Sequence, residues 1–168
     1  DNALLAATIE EMETVIKSDR KFQDLQNDAD LLKADVAETA ERYEEARTIY
    51  NRLSGNKDLW EPVSLGVLRC YSLLNKTSDL RAKVESLLTE IREKRGGAPR
   101  VYLGALIGRG DVYLADRKIK EALHDYMKAA LDPGQAANSY EHETAYAKAA
   151  IAAAKYGKQF GEKEKDQK

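Results

Sequence analysis

Apolar residues recur along the chain at three- and four-residue intervals in eight separate stretches. This is the spacing of amphipathic helices, not the period of two that marks strands. Leu4, Leu5, Ile9, Met12 and Ile16 form the first stripe, and Leu25, Ala29, Leu32 and Val36 the second. Tyr43, Ala46, Ile49, Tyr50 and Leu53 form the third, and Val67, Cys70, Tyr71 and Leu74 the fourth. Leu80, Val84, Leu87, Leu88 and Ile91 make the fifth; Leu106, Val112 and Tyr113, with Gly110 among them, make the sixth. Ile119, Ala122, Leu123, Tyr126 and Ala130 make the seventh. Ala145 to Tyr156 is the eighth, so rich in Ala that propensity alone favours helix. β-Branched residues are scattered, and no strand is expected.

The breaks between stripes carry their own chemistry. Ser54-Gly55-Asn56 closes the third, with Gly55 suited to a left-handed C-cap. The stretch Asn75 to Asp79 offers an N-cap to the fifth. Gly96-Gly97 stops that helix, and Pro99 suits the first turn of the next. Asp132-Pro133-Gly134 reads as a turn. Asn138 with Glu141 resembles a capping box opening the eighth helix. Such short linkers imply antiparallel neighbours. The charged end, Glu162 to Lys168, is expected to fray or to begin a truncated helix.

Composition narrows the function classes. The 168 residues suit about one domain, with 27 Lys and Arg against 29 Asp and Glu. One Cys and two His exclude an internal disulfide and a Cys/His zinc site. No apolar run approaches the roughly 18 residues of a membrane span. No basic face dominates, so nucleic acid lacks its usual electrostatic footprint. An apolar content of 43 % is too high for a disordered tail. Charge is uneven: residues 1–50 hold 13 acids and 6 bases, whereas residues 51–100 hold 10 bases and 6 acids. Two solvated faces of opposite sign would explain this, and so would a polarised surface that orients a partner. A start at Asp1 reads as a processed chain or a piece of a longer one. With the lone Cys, this leans the expected location to the bacterial envelope, with the cytoplasm as the alternative.

Internal similarity is the most informative signal. Ser64 to Leu73 aligns with Leu106 to Ala115, bringing Gly66 onto Gly108 and Tyr71 onto Tyr113, 42 positions apart. Tyr156 follows Tyr113 by 43. Arg42 to Tyr50 parallels Lys118 to Tyr126: both place Glu-Ala after an early apolar position and a Tyr four residues beyond the Ala.

On these residues the chain resembles the tetratricopeptide repeat family. In Leu106 to Pro133, the residues Gly110, Tyr113, Ala122, Tyr126 and Ala129 fall at the family's small, aromatic, small, aromatic and small positions. Pro133 lies one residue before the family's closing proline. Ala34, Ala46 and Tyr50 give a second match. The repeat is longer than the family's usual length of about 34 residues. The middle repeat has Leu80 where Ala is expected. The resemblance implies an all-α, right-handed superhelical solenoid of antiparallel helical hairpins. Its expected parts are an N-terminal helix over 1–21 and a repeat domain over 22–160, divided at about 22–56, 57–97, 98–134 and a partial 138–160. A charged tail or truncated helix over 161–168 would follow. The final helix would then lack its partner, as in a fragment or a chain that finds a partner there.

The resemblance also implies a protein-binding scaffold or adaptor whose first helices line a concave face taking a peptide or helix. The family register places Asp35, Arg69 and Asp111 in one row of that face. Leu65 and Ile107, with Leu32, lie beside it, and Gly66 and Gly108 leave room for apolar anchors. Asp28 and Glu38 add acid to the first-repeat end. The carboxylate clamp of the family's chaperone-binding members is not matched. The N-terminal helix, Asn2 to Lys17, either caps the array or occupies part of the groove. Self-association through terminal helices and binding of a small ligand are the alternative functions.

Catalysis is not expected. His124 and His142 fit no nucleophile–base set and read as surface or packing histidines; with Glu141 and Glu143 they offer a weak metal set. Gly104, Gly108 and Gly110 sit in a helical stretch, not after a strand, so they are no phosphate loop. Arg109-Gly110-Asp111 inside a helix cannot present an adhesion loop. Cys70 reads as a buried hydrophobe and Trp60 as a packing residue or a partner anchor. No enzyme activity, cofactor or resident metal is therefore expected.

Overall fold

Eight α-helices and no strand are found among the described residues, which are 2–18, 22, 25–93, 98–132 and 139–165 of a computed structural model. The helices are α1 (Asn2–Ser18), α2 (Gln26–Thr39), α3 (Tyr43–Leu53), α4 (Trp60–Leu73), α5 (Thr77–Glu93), α6 (Pro99–Ala115), α7 (Ile119–Ala130) and α8 (Tyr140–Lys165). Each apolar stripe marks one helix, with Leu25 and Leu74 at caps. Pro99 opens α6, where its missing N–H costs nothing. Residues 161–165 continue α8 and do not form a separate tail. The expected stops at Gly96-Gly97 and Pro133-Gly134, and the cap Asn138, lie outside the described residues. Ser139 serves as a side-chain cap of α8, its Oγ accepting the His142 N–H at 3.3 Å.

The chain divides into two compact units, residues 1–75 and 76–168. In the first, α1 packs on α2, α2 folds back onto α3, and α4 packs on both α2 and α3. In the second, α5 packs on α6, α6 folds back onto α7, and α8 packs on both α6 and α7. The order of contacts is the same in each.

The matching hairpins turn in the same way. After α2, the Arg42 N–H bonds to Ala37 O at 2.8 Å and the Glu41 N–H to Glu38 O at 2.9 Å. After α6, the Lys118 N–H bonds to Tyr113 O at 2.8 Å and the Arg117 N–H to Leu114 O at 3.1 Å. These are Schellman closures, which need a left-handed residue. Glu41 (φ 60°) and Arg117 (φ 62°) supply it, and Asn75 (φ 54°) does the same after α4. Gly55, expected in this role, does not adopt the left-handed conformation; α3 ends on a right-handed Ser54 instead.

Small residues and tyrosines build both cores. Ala34, Ala37, Ala46 and Tyr50 pack with Val63, Val67 and Cys70 in the first unit. Leu103, Leu106, Ala122, Tyr126, Ala145 and Ala149 pack together in the second. A Cβ on Gly66 would lie 2.4 Å from the Tyr50 ring, and one on Gly110 would lie 2.4 Å from the Tyr126 ring. Gly66 therefore receives an aromatic ring of its own chain and is not open to an apolar anchor. Gly108 is buried as well.

Candidate functional site

Three expected site residues share one placement relative to the turns. Asp35, Arg69 and Asp111 each stand six residues before a left-handed residue, at Glu41, Asn75 and Arg117. They occupy equivalent places on α2, α4 and α6.

In the first unit, Asp35 and Arg69 meet around a shared carboxylate. Tyr50, rising from α3 with its ring fully buried, brings its hydroxyl 2.6 Å from Asp35 Oδ1 and 2.8 Å from Glu38 Oε2. Its one proton serves one carboxylate at a time. Arg69 donates through Nε and Nη2 to Glu38 at 2.5 and 2.9 Å. The fork neutralises Glu38 in bidentate geometry. Burial, then the bond to Asp35, pushes the Tyr50 hydroxyl well above the usual tyrosine range.

The second unit repeats the arrangement 76 positions later. The Tyr126 hydroxyl donates to Asp111 Oδ1 at 2.6 Å. Lys148, from α8, places its ammonium 2.6 Å from both Asp111 oxygens and 5.9 Å from the centre of the Tyr126 ring. Burial and the Asp111 charge push the Tyr126 hydroxyl upward too. Beside it, Arg109 grips Asp125 at 2.6 and 2.9 Å, and Arg100 reaches Glu141 at 3.1 Å. The Asp125 side chain is only 3 % exposed and that of Glu141 only 5 %. Sequence spacing gave no sign of these two buried acids, because at helical positions they look like solvated charges. The signal that could have found them is an Arg or Lys one hairpin away.

The apolar part of the expected face is corrected. Leu65 is 2 % exposed and Ile107 8 %, with Ile107 inside the second core. Neither offers surface to a ligand. Leu32 stays half-buried and Asp28 exposed on α2. The N-terminal helix does not cover Asp35. Its Glu13 pairs with Lys33 of α2, two residues from Asp35 and so about 200° around the helix.

Arg109-Gly110-Asp111 lies within α6. Trp60 is half-buried at the start of α4. Cys70 is fully buried, and burial pushes its thiol up to about 12. His124 is exposed beside Asp125, and His142 packs edge-on against Tyr146. Among the described residues no three His, Cys, Asp or Glu are placed to hold a metal ion. Among the same residues, no helix is long and apolar enough to cross a membrane.

No family model matches this chain, and neither a curated protein nor a solved structure is significantly similar to it.

Proposed function

We propose that the chain is a tetratricopeptide-like helical solenoid that acts without chemistry of its own, as a scaffold docking a peptide or helical segment on its first helices. The observation that carries this reading is the placement of the turns. Glu41 and Asn75, the left-handed residues after two successive first helices, stand 34 positions apart, matching the repeat length typical of that family. The longer step to Arg117 coincides with the 17-residue α5. Support also comes from the Asp–Tyr bond that recurs in both hairpins and from the small residues under each tyrosine. Docking would use Asp35, Arg69 and Asp111 to set register, through charges already held in place.

The test is peptide display. A random library is selected on the wild-type chain and counter-selected on Asp35→Lys, Arg69→Glu, Asp111→Lys. Enriched peptides that bind wild type and lose at least tenfold on the folded variant support the reading. Peptides that bind both equally, or no enrichment, contradict it. In the latter case, a sedimentation coefficient that rises with concentration would favour self-association.

A further inference from the structure

The two Asp–Tyr pairs differ in one respect that points to a ligand. In the second unit, Lys148 reaches the pair from α8, the helix packed on the hairpin, and compensates Asp111. In the first unit the cation reaching in from the corresponding helix α4 is Arg69, and its fork goes to Glu38. The second unit has no acid at the place of Glu38, since Leu114 stands there. The carboxylate bonded to Tyr126 thus has the Lys148 ammonium on it, whereas Arg69 pairs with Glu38 and not with Asp35. Among the described residues, no Lys or Arg nitrogen lies within ion-pair distance of Asp35, and its side chain is exposed.

We infer that Asp35, backed by the Tyr50 hydroxyl, is a receptor for a lysine side chain from a protein partner, seated as Lys148 is seated on Asp111 and Tyr126. This rests on the docking function proposed above and names the chemistry of its partner. When the Tyr50 hydroxyl donates to Asp35 it holds one carboxylate oxygen, which reduces the side-chain freedom to be lost on binding. The surroundings favour a cation. Residues 1–75 hold 15 acids and nine bases. Asp28 and Leu32 precede Asp35 on the same face of α2, at helical steps of seven and three residues. Two carboxylates about 10 Å apart with an apolar contact between them fit a helix carrying lysines seven positions apart around a leucine.

A synthetic amphipathic helical peptide of that pattern is the probe, followed by fluorescence anisotropy and by the carboxyl carbon resonance of Asp35. Asp35→Asn, which still accepts the Tyr50 hydroxyl, is expected to keep its melting temperature and bind about fivefold more weakly. Replacing both lysines by norleucine should weaken binding at least as much. Raising salt should weaken the wild-type complex, and Asp58→Asn, at an exposed acid outside the first helices, should leave it unchanged. Equal binding by Asp35→Asn, equal binding by the norleucine peptide, or no binding by the wild-type chain overturns the assignment. If display-selected peptides map to the first helices while the lysine probe ignores Asp35, the lysine receptor falls and docking stands. If the probe binds at Asp35 while selected peptides map elsewhere, the converse holds.

Discussion

Gly110 lies directly beneath the ring of Tyr126, close enough that a Cβ there would come within 2.4 Å of the ring carbon Cε1. The contact holds α7 against α6 and aims the tyrosine hydroxyl at Asp111. Alanine normally favours a helix over glycine by about 1 kcal/mol. Here Gly110→Ala should instead destabilise the chain by about 2 kcal/mol, because a rigid buried ring must move. Gly66→Ala, under Tyr50, should behave alike. Urea denaturation measures both. In a Tyr126→Ala background the clash is absent, and Gly110→Ala should become neutral or stabilising.

The Arg109–Asp125 pair should matter more than its place on a helical surface suggests. Arg109→Met leaves a carboxylate that is 3 % exposed without its fork. A cost of about 2 kcal/mol is expected, below that of a fully buried pair because solvent reaches Arg109. Adding Asp125→Leu should recover much of the loss. Arg81→Ala, which breaks the exposed pair with Asp116, should leave the denaturation midpoint unchanged.

Cys70 gives a pH dependence whose sign follows from burial. Its thiol is pushed up to about 12 in the folded chain, whereas an unfolded cysteine ionises at about 8.5. Below that unfolded value the two states bind the same proton and stability is flat. Above it the unfolded chain loses the proton first, so stability falls as pH rises toward 12. Tyr50 and Tyr126, also raised, add to the fall once unfolded tyrosine ionises. Cys70→Ala should flatten the early part of the decline in chemical denaturation between pH 8 and pH 10. Native Cys70 should resist iodoacetamide at pH 8 and react once the chain is unfolded.

The three left-handed turn residues are a reserve of stability. A side chain at positive φ costs roughly 1 kcal/mol against glycine. Glu41→Gly and Arg117→Gly should therefore each raise the unfolding free energy by up to about 1 kcal/mol. Hydrogen exchange at the closing amides of Arg42 and Lys118 should slow accordingly.

These turns also mark where the sequence stopped being readable. Helix number and position followed from apolar spacing, because each stripe had to be buried against a neighbour. The hairpin closures did not, since Glu41 and Arg117 carry no turn signature and Gly55, which does, is not used. The equivalent placement of Asp35, Arg69 and Asp111, each six residues before its turn, was legible from the repeat. What each touches was not. Glu38 drew the Arg69 fork away from Asp35, and Lys148 reached back 37 positions to Asp111. Leu65 and Ile107 are buried and not on an open face, and the pattern does not reveal this because a helix buried on several sides shows no polar side to orient it. The hydrophobic residues of α6 run nearly all round it, with Val101, Leu103, Leu106, Ile107 and Val112 all buried.

The most direct test of docking on the first helices is the backbone amide spectrum of the full chain during titration with a display-selected peptide. Shifts concentrated in α2, α4 and α6, and centred on Asp35, Arg69 and Asp111, are the predicted result. Shifts confined to α3, α5 or α7, with those three residues unmoved, would contradict it.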